Sequence, residues 1–360
     1  MTAPQTVVFL LPDLGGGGAQ KVMLTLASHL DRSRFTPHLL VVGGAATLPL
    51  PDGVTVDRGN AARLATGIPW FVRRLRRLRP AVVVSTLAYM NLALLAAAPL
   101  LPRRTRIVVR EANTPSASLA SLPGFLRRVQ PYKRLYPRAA RIIAQTQAVA
   151  DELTDIAPAV RTSIRLLPNL VDTEGLRAAA VSPQREAGAG LRLVGAGRLT
   201  DQKGFDRLVE AVPQLPADSR VTIFGEGPDR ATLTNRIAAL GLDDRVRLAG
   251  FQADLAPHLA GADALVMPSR WEGLPNVALE ALALGTPVFA TPECGLAEVA
   301  DKAGDAIRLA PFDSDLVARI GSLVADASRA ECLQPNLLPI AYNIEIVVAR
   351  FQNLLDDCLV

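Results

Sequence analysis

A chain of 360 residues with 49% hydrophobic and 20% charged residues is long enough for two domains with real cores and is not a disordered composition. Its three cysteines, Cys294, Cys332 and Cys358, are odd in number, far apart and without metal-binding spacing, which predicts a reduced compartment. The net charge of +5 hides an asymmetry. Residues 1–175 carry 22 Lys+Arg against 10 Asp+Glu, and the remainder 17 against 24. The first half is therefore expected to meet something anionic, with a membrane surface, a phosphorylated lipid and nucleic acid as candidate classes beside a plain arginine-rich solvated surface.

The opening MTAPQTVVFLLPD lacks the basic region of a signal peptide, so none is expected. Thr6 to Pro12 reads as a buried strand, and four glycines, Gly15 to Gly18, open the helix after it. Glycine backbone can approach a ligand closely and leave its N–H groups pointing at it; a tight turn is the alternative. No Gly-x-Gly-x-x-Gly runs into that helix, so the dinucleotide fingerprint is missing. Strands HLLVVGG, AVVVST, RIVVRE, ARIIAQT and SIRLLPN follow, with helices expected around Pro69–Leu78, Leu92–Leu100 and Phe125–Leu135. Such alternation predicts parallel strands with right-handed crossovers. The apolar run Leu92 to Leu101 is too short to span a membrane. His29, in the first helix, and His38, on the second strand, read as structural.

Basic clusters stand at Arg73, Arg74, Arg76, Arg77 and Arg79, at Arg103, Arg104 and Arg106, and at Arg127, Arg128, Lys133, Arg134 and Arg138. The last mixes charge with Phe125, Tyr132 and Tyr136, which predicts an interfacial surface with apolar anchors. After Asp172, small residues with Pro and Gly read as a linker, placing a domain boundary near 173–190.

The second half opens with LRLVGAGRLTDQKGFDRLVEAV, a strand, loop and helix. Thr200 sits where a third glycine would be needed for a nicotinamide-binding loop, although an oxidoreductase remains an alternative. Arg198 and Lys203 share a loop at a strand's carboxyl end and together could neutralise a diphosphate. Further strands VTIFGEGPDR, RVRLAGF and DALVMPS lead to PSRWEGLPNVALEALALGTP, which runs into the strand-like PVFA. There Glu272 and Glu280 stand eight positions apart, Pro275 is expected at the first helical position, and Asn276 and Glu280 share a helix face. The helix's first N–H groups can seat a phosphate or sugar hydroxyl. Glu280 can accept two hydrogen bonds from a ribose diol, and Glu272 can do the same for a second sugar. Asp313-Ser314-Asp315 looks like a metal motif but precedes an apolar helix, so a helix cap is expected.

Taken together, the Glu-x7-Glu stretch with its PS, EG and PN flanks, the GR-to-KG element at Arg198 and Lys203, and Pro168-Asn169-Leu170-Val171-Asp172 resemble the retaining glycosyltransferases of family 4. The resemblance implies an α/β GT-B fold, two Rossmann-like domains facing a central cleft. It places an acceptor-binding domain at 1–175, a nucleotide-sugar-binding domain at 176–340 and a helix at 341–360 bracing the first domain. It implies retaining transfer of a hexosyl group from a nucleotide-diphosphate donor, UDP-sugar ahead of GDP-sugar, to a hydroxyl of a glycan or polyprenyl-linked acceptor. No metal, cofactor or nucleic acid is implied. The setting implied is lipopolysaccharide or other cell-surface polysaccharide assembly, in the cytoplasm or peripherally on the inner face of the cell membrane.

In that resemblance Glu272, Arg198 and Lys203 are the catalytic residues. Gly273, Leu274, Asn276, Val277, Glu280, Gly227 and Phe251 hold the donor, and Gly17 and Gly18 face acceptor and phosphate. Many relatives carry a histidine near the reacting sugar; here the loop reads Arg110-Glu111-Ala112-Asn113, making Glu111 and Asn113 the expected stand-ins. Glu298 matches a recurrent acidic position, but Cys294-Gly295 stands where two glycines are usual. A nucleotide-sugar-binding protein without transferase activity and a GT-B epimerase are the alternatives.

Overall fold

The computed structural model describes residues 3–44, 47–186 and 188–359, without the side chains of Phe125, Leu126 and Ala327. The chain forms two compact units, Met1–Asn169 with Glu345–Val360, and Leu170–Ile344.

In the first unit, seven strands alternate with helices: β1 (Gln5–Leu11), β2 (Phe35–Val41), β3 (Thr55–Arg58), β4 (Val82–Thr86), β5 (Arg106–Arg110), β6 (Arg141–Ala144) and β7 (Ile164–Leu166). They lie in the order β3-β2-β1-β4-β5-β6-β7, every neighbour parallel, with Val8 opposite Val83 and His38 between β1 and β3. Val7 to Leu11 are fully buried because helices cover both faces of a parallel sheet, which selects continuous apolar runs. His38 is structural, bonding Asp57 of the edge strand at 2.8 Å.

Helix Leu64–Leu78 buries Phe71, Val72 and Leu75 and turns Arg73, Arg76 and Arg77 to solvent. The expected helix over Phe125–Leu135 is two five-residue pieces, Gly124–Arg128 and Pro131–Leu135, separated where Pro131 lacks an N–H and Gln130 turns left-handed at φ 48°. The interfacial anchors also differ from expectation. Tyr132 and Tyr136 are buried and stack on each other at 4.3 Å, while the Phe125 side chain lies outside the described residues. The exposed character of this stretch comes from Arg127, Arg128, Lys133 and Arg134.

The C-terminal helix, Ile344–Leu359, buries Val347, Val348, Phe351, Leu354, Leu355 and Cys358 at helical spacing. Its Phe351 ring meets Phe9 at 6.1 Å. Gln352 accepts the Asp31 N–H at 2.7 Å, and Arg350 donates to the Leu166 carbonyl at 2.8 Å.

The second unit holds β8 (Arg192–Ala196), β9 (Arg220–Phe224), β10 (Val246–Gly250), β11 (Ala264–Met267), β12 (Val288–Ala290) and β13 (Ile307–Leu309). Their order is β10-β9-β8-β11-β12-β13, again parallel throughout. The stretch expected to be a linker belongs to this unit. Thr173–Ala179 is helical with Asp172 capping it. The following residues form a strap: Gln184 donates to the Pro257 carbonyl at 2.8 Å, and Arg185 forms a buried ion pair with Asp263 at 2.9 Å. The chain changes unit earlier, after Asn169, and returns after Ile344. These two passages run side by side, with Val171 N–H donating to the Tyr342 carbonyl and Ile344 N–H to the Val171 carbonyl, each at 3.0 Å. Among the described residues no helix is long and apolar enough to cross a membrane.

Candidate active site

Because all six strands of the second sheet are parallel, the loops after β8, β9, β10, β11 and β12 emerge along one edge, where α/β ligand sites form. Main-chain bonds stitch them together. Gly197 N–H donates to the Phe224 carbonyl and Leu199 N–H to the Glu226 carbonyl, both at 2.9 Å, and Gly225 N–H to the Gly250 carbonyl at 2.8 Å. At Gly225, φ is 135° and a Cβ would collide with the Gly197 carbonyl oxygen, so only glycine lets the two loops cross there.

Lys203 ends a short turn, Asp201–Lys203, and its ammonium is ion-paired with the Glu272 carboxylate. Glu272 is buried at 9% exposure. The Ser269 hydroxyl donates to its Oε1 at 3.2 Å, and Gln202 reaches its Oε2 at 3.5 Å and the Trp271 carbonyl at 2.9 Å. Glu272 N–H donates to the Glu293 carbonyl at 2.9 Å. Gly295 has φ 65°, and a Cβ there would strike the Gly273 carbonyl oxygen. The Cys294-Gly295 departure noted in the sequence thus retains a glycine where the Glu272 loop needs it. Cys294 lies beneath, buried, with its sulfur 3.2 Å from the Thr291 hydroxyl; burial pushes its thiol pKa up, so it is inert.

Helix Asn276–Ala283 follows, with Pro275 as its N-cap, one position earlier than expected. Ala278, Leu279, Ala281, Leu282 and Ala283 are buried. Asn276, Val277 and Glu280 lie on its half-buried edge, one turn apart, beside N–H groups at the dipole's positive end. Leu274 is 4% exposed and belongs to the core, so its backbone, not its side chain, is the part a ligand could meet. Arg198 is exposed in the β8 loop. Phe251, at 55% exposure, is not core, and Gly227 packs on the Leu199 carbonyl. Glu298 is half-buried in the helix Ala297–Ala303. Asp313 is the expected cap, accepting the Asp315 and Leu316 N–H groups at 3.1 and 3.2 Å.

In the first unit Gly17 is the N-cap of helix Gly18–Ser28, and Asp13 holds the loop by accepting from Gly15 N–H at 2.8 Å and from Gln20 at 3.2 Å. Glu111 departs from expectation. It is fully buried, receiving the Tyr136 hydroxyl, the Tyr132 hydroxyl at 3.3 Å and the Asn91 amide at 3.3 Å. Burial pushes its carboxyl up to about 7 against these donors and the adjacent Arg110. A carboxylate enclosed this way cannot touch an acceptor; it braces the end of β5 instead. Arg110 is equally buried, donating to Thr86 at 3.2 Å and to Asn169, and burial lowers its pKa to about 10. Asn113 is half-buried and accepts the Thr114 N–H at 2.9 Å, starting the helix Pro115–Ala120.

The structure therefore joins Lys203 directly to Glu272 and places Arg198, Gly227 and Phe251 on loops, and Asn276–Glu280 on the helix that follows the Glu272 loop, all along the same sheet edge. Sequence reasoning missed Ser269, Gln202 and Asp13. Polar side chains inside glycine- and proline-rich loops were the available signal.

Comparison with known proteins identifies the family. The Glycosyltransferase Family 4 profile matches residues 16–175, and the Glycosyl transferases group 1 profile matches residues 190–326. The chain belongs to the family 4 glycosyltransferases. The lipopolysaccharide core biosynthesis glycosyltransferase LpsE of Rhizobium meliloti is 35% identical over 150 residues, which is 42% of this chain and 43% of that protein. The chain thus matches less than half the length of that relative. A second family relative is the N-acetylgalactosamine-N,N'-diacetylbacillosaminyl-diphospho-undecaprenol 4-alpha-N-acetylgalactosaminyltransferase of Campylobacter jejuni, 25% identical over 300 residues and 80% of each chain. The solved structure of Anabaena Alr3699/HepE in complex with UDP-glucose superposes with TM-score 0.78 at 18% identity, covering 98% of this chain and 100% of that one. That likeness is one of fold, and with the two parallel Rossmann-like sheets it makes this a GT-B protein.

Proposed function

We propose that the protein is a retaining glycosyltransferase that moves a hexosyl group from a UDP-sugar to a hydroxyl of a glycan or lipid-linked acceptor in cell-surface polysaccharide assembly. The observation that carries this reading is the Lys203–Glu272 pair, a cation and a buried carboxylate at the mouth of the Glu-x7-Glu loop. The second unit holds the donor in this reading, the first receives the acceptor, and the C-terminal helix, from Glu345 on, braces the first. Arg198, Lys203 and the amides at Asn276 and Val277 take up the charge that develops on the departing diphosphate, which they can do without a metal. Glu272 orients the sugar through its hydroxyls and Glu280 the ribose, with Gly273, Gly227 and Phe251 around the nucleotide. The sugar's anomeric carbon loses its bond to the diphosphate oxygen and gains one to the acceptor oxygen on the same face. The acceptor's proton passes to the released phosphate, so no protein carboxylate bonds to the sugar.

The relatives support the donor and acceptor classes: one is named for lipopolysaccharide core synthesis, another for an undecaprenol-linked acceptor, and a structural neighbour was solved with UDP-glucose. Thermal shift with UDP, GDP and their sugars, followed by transfer assays, tests the reading. UDP is expected to raise the melting temperature more than GDP, Lys203→Ala and Glu280→Ala each to lower transfer at least about tenfold, and chelation to leave transfer intact. Full activity in either variant, or a product with inverted anomeric configuration, rejects it.

The cationic stretch holding Arg127, Arg128, Lys133 and Arg134 carries no acid between Ser121 and Arg138, favouring peripheral binding to an anionic cytoplasmic membrane face. Flotation with anionic liposomes is expected at low salt and not at high salt; no flotation at either rejects it.

A further inference from the structure

Between the Lys203 turn and the Glu272 loop stands Arg270, with one guanidinium holding three points of a six-residue stretch. It grips the Asp206 carboxylate with two nitrogens, at 3.0 and 2.7 Å, and donates to the Asp201 carbonyl at 2.7 Å. The Asp201 carboxylate lies 3.3 Å away, and the backbone N–H of Arg270 donates to the Gln202 carbonyl at 2.7 Å. Asp201 precedes Lys203 by two residues and Asp206 follows it by three, so the clamp closes on both sides of the lysine. On its own loop, Arg270 adjoins Ser269, which donates to Glu272. The pair strengthens both ions: the Arg270 bond lowers the Asp206 pKa and raises that of Arg270.

We propose that Arg270 and Asp206 are positioning residues that set where Lys203 meets the donor's diphosphate, by locking the turn after β8 to the loop after β11. This rests on the reading that Lys203 serves the donor. A surface ion pair usually contributes little. This one is bidentate, and the same guanidinium also donates to the Asp201 carbonyl, a geometry that suits the planar fork of arginine and not the point charge of lysine. The consequence is a coupling: the clamp affects nucleotide binding only through the lysine it places.

Calorimetric titration of UDP into purified full-length variants tests this, with melting temperature as the folding control. Arg270→Ala is expected to weaken UDP binding about tenfold in the wild-type background and to add nothing when Lys203→Ala is already present, the non-additivity of residues acting as a unit. Arg270→Lys is expected to remain weak, because an ammonium cannot grip Asp206 and the Asp201 carbonyl together. Equal losses with and without Lys203, or wild-type affinity in Arg270→Ala or Arg270→Lys, overturn the clamp while leaving the donor reading standing. Wild-type affinity in Lys203→Ala overturns the donor reading and the clamp with it. Should Arg270→Ala not fold, Asp206→Asn carries the same comparison.

Discussion

Burial keeps the Glu111 carboxyl near pKa 7 in the folded chain, against its ordinary value of 4.5. Between those values the native state holds a proton that the unfolded state has lost. The Glu111 contribution to stability therefore falls as pH rises from about 4.5 to about 7 and is level above it. Glu111→Gln removes this titration, so between pH 5 and pH 8 the variant should gain about 1–3 kcal/mol on the wild type, read from urea unfolding at the two pH values. A constant difference would show that Glu111 does not titrate in this range. Gly225→Ala combines an unfavourable φ with a clash against a neighbouring loop; a loss of about 2 kcal/mol or more is expected, with weaker UDP binding. These residues differ in how readable they were. Lys203 and Glu272 stand in strings whose spacing advertises a purpose. Glu111 also sat at a strand end, but its role depends on Tyr132 and Tyr136 folding back over it from more than twenty residues away, which no local pattern reveals.

Elements in the interior of each sheet were readable because central parallel strands are buried on both faces and spell continuous apolar runs. The two strands left out of the reading, Thr55–Arg58 and Ile307–Leu309, are the outer strands of their sheets, short and only partly buried, where the apolar requirement lapses. The misread linker has a different cause. Small residues, Pro and Gly suit a flexible connector, but they also suit a strap pressed against other backbone: at Gly261 a Cβ would meet the Gln184 carbonyl oxygen. Only contacts separate the two. If the strap is structural, Arg185→Ala should destabilise the second unit by about 3 kcal/mol, because it leaves Asp263 buried at 2% side-chain exposure without its cation. Asp263 keeps the N–H groups of Arg192 and Asp326 at 2.7 and 2.9 Å, so the loss should stop short of unfolding. Denaturant midpoints measure it, and an unchanged midpoint would return the segment to the status of a connector.

At the scale of the molecule, the second unit is one uninterrupted segment, whereas the first is assembled from both ends of the chain. The C-terminal helix is consequently part of the first unit's core. Val347, Phe351 and Leu355 are fully buried, each contributing about 1.5–3 kcal/mol of apolar burial, a sum comparable with the whole stability of a domain. Ending the chain at Ile344 should therefore unfold the first unit, while residues 170–344 keep every contact of the Lys203–Glu272 site. In the truncated protein, calorimetry is expected to lose one transition and retain another that UDP still shifts upward. Loss of both transitions would mean that the second unit cannot fold without the first; survival of both would mean that the helix is dispensable. Because the proposed nucleotide site and the truncated helix lie in different units, UDP binding reports on the former without depending on the latter.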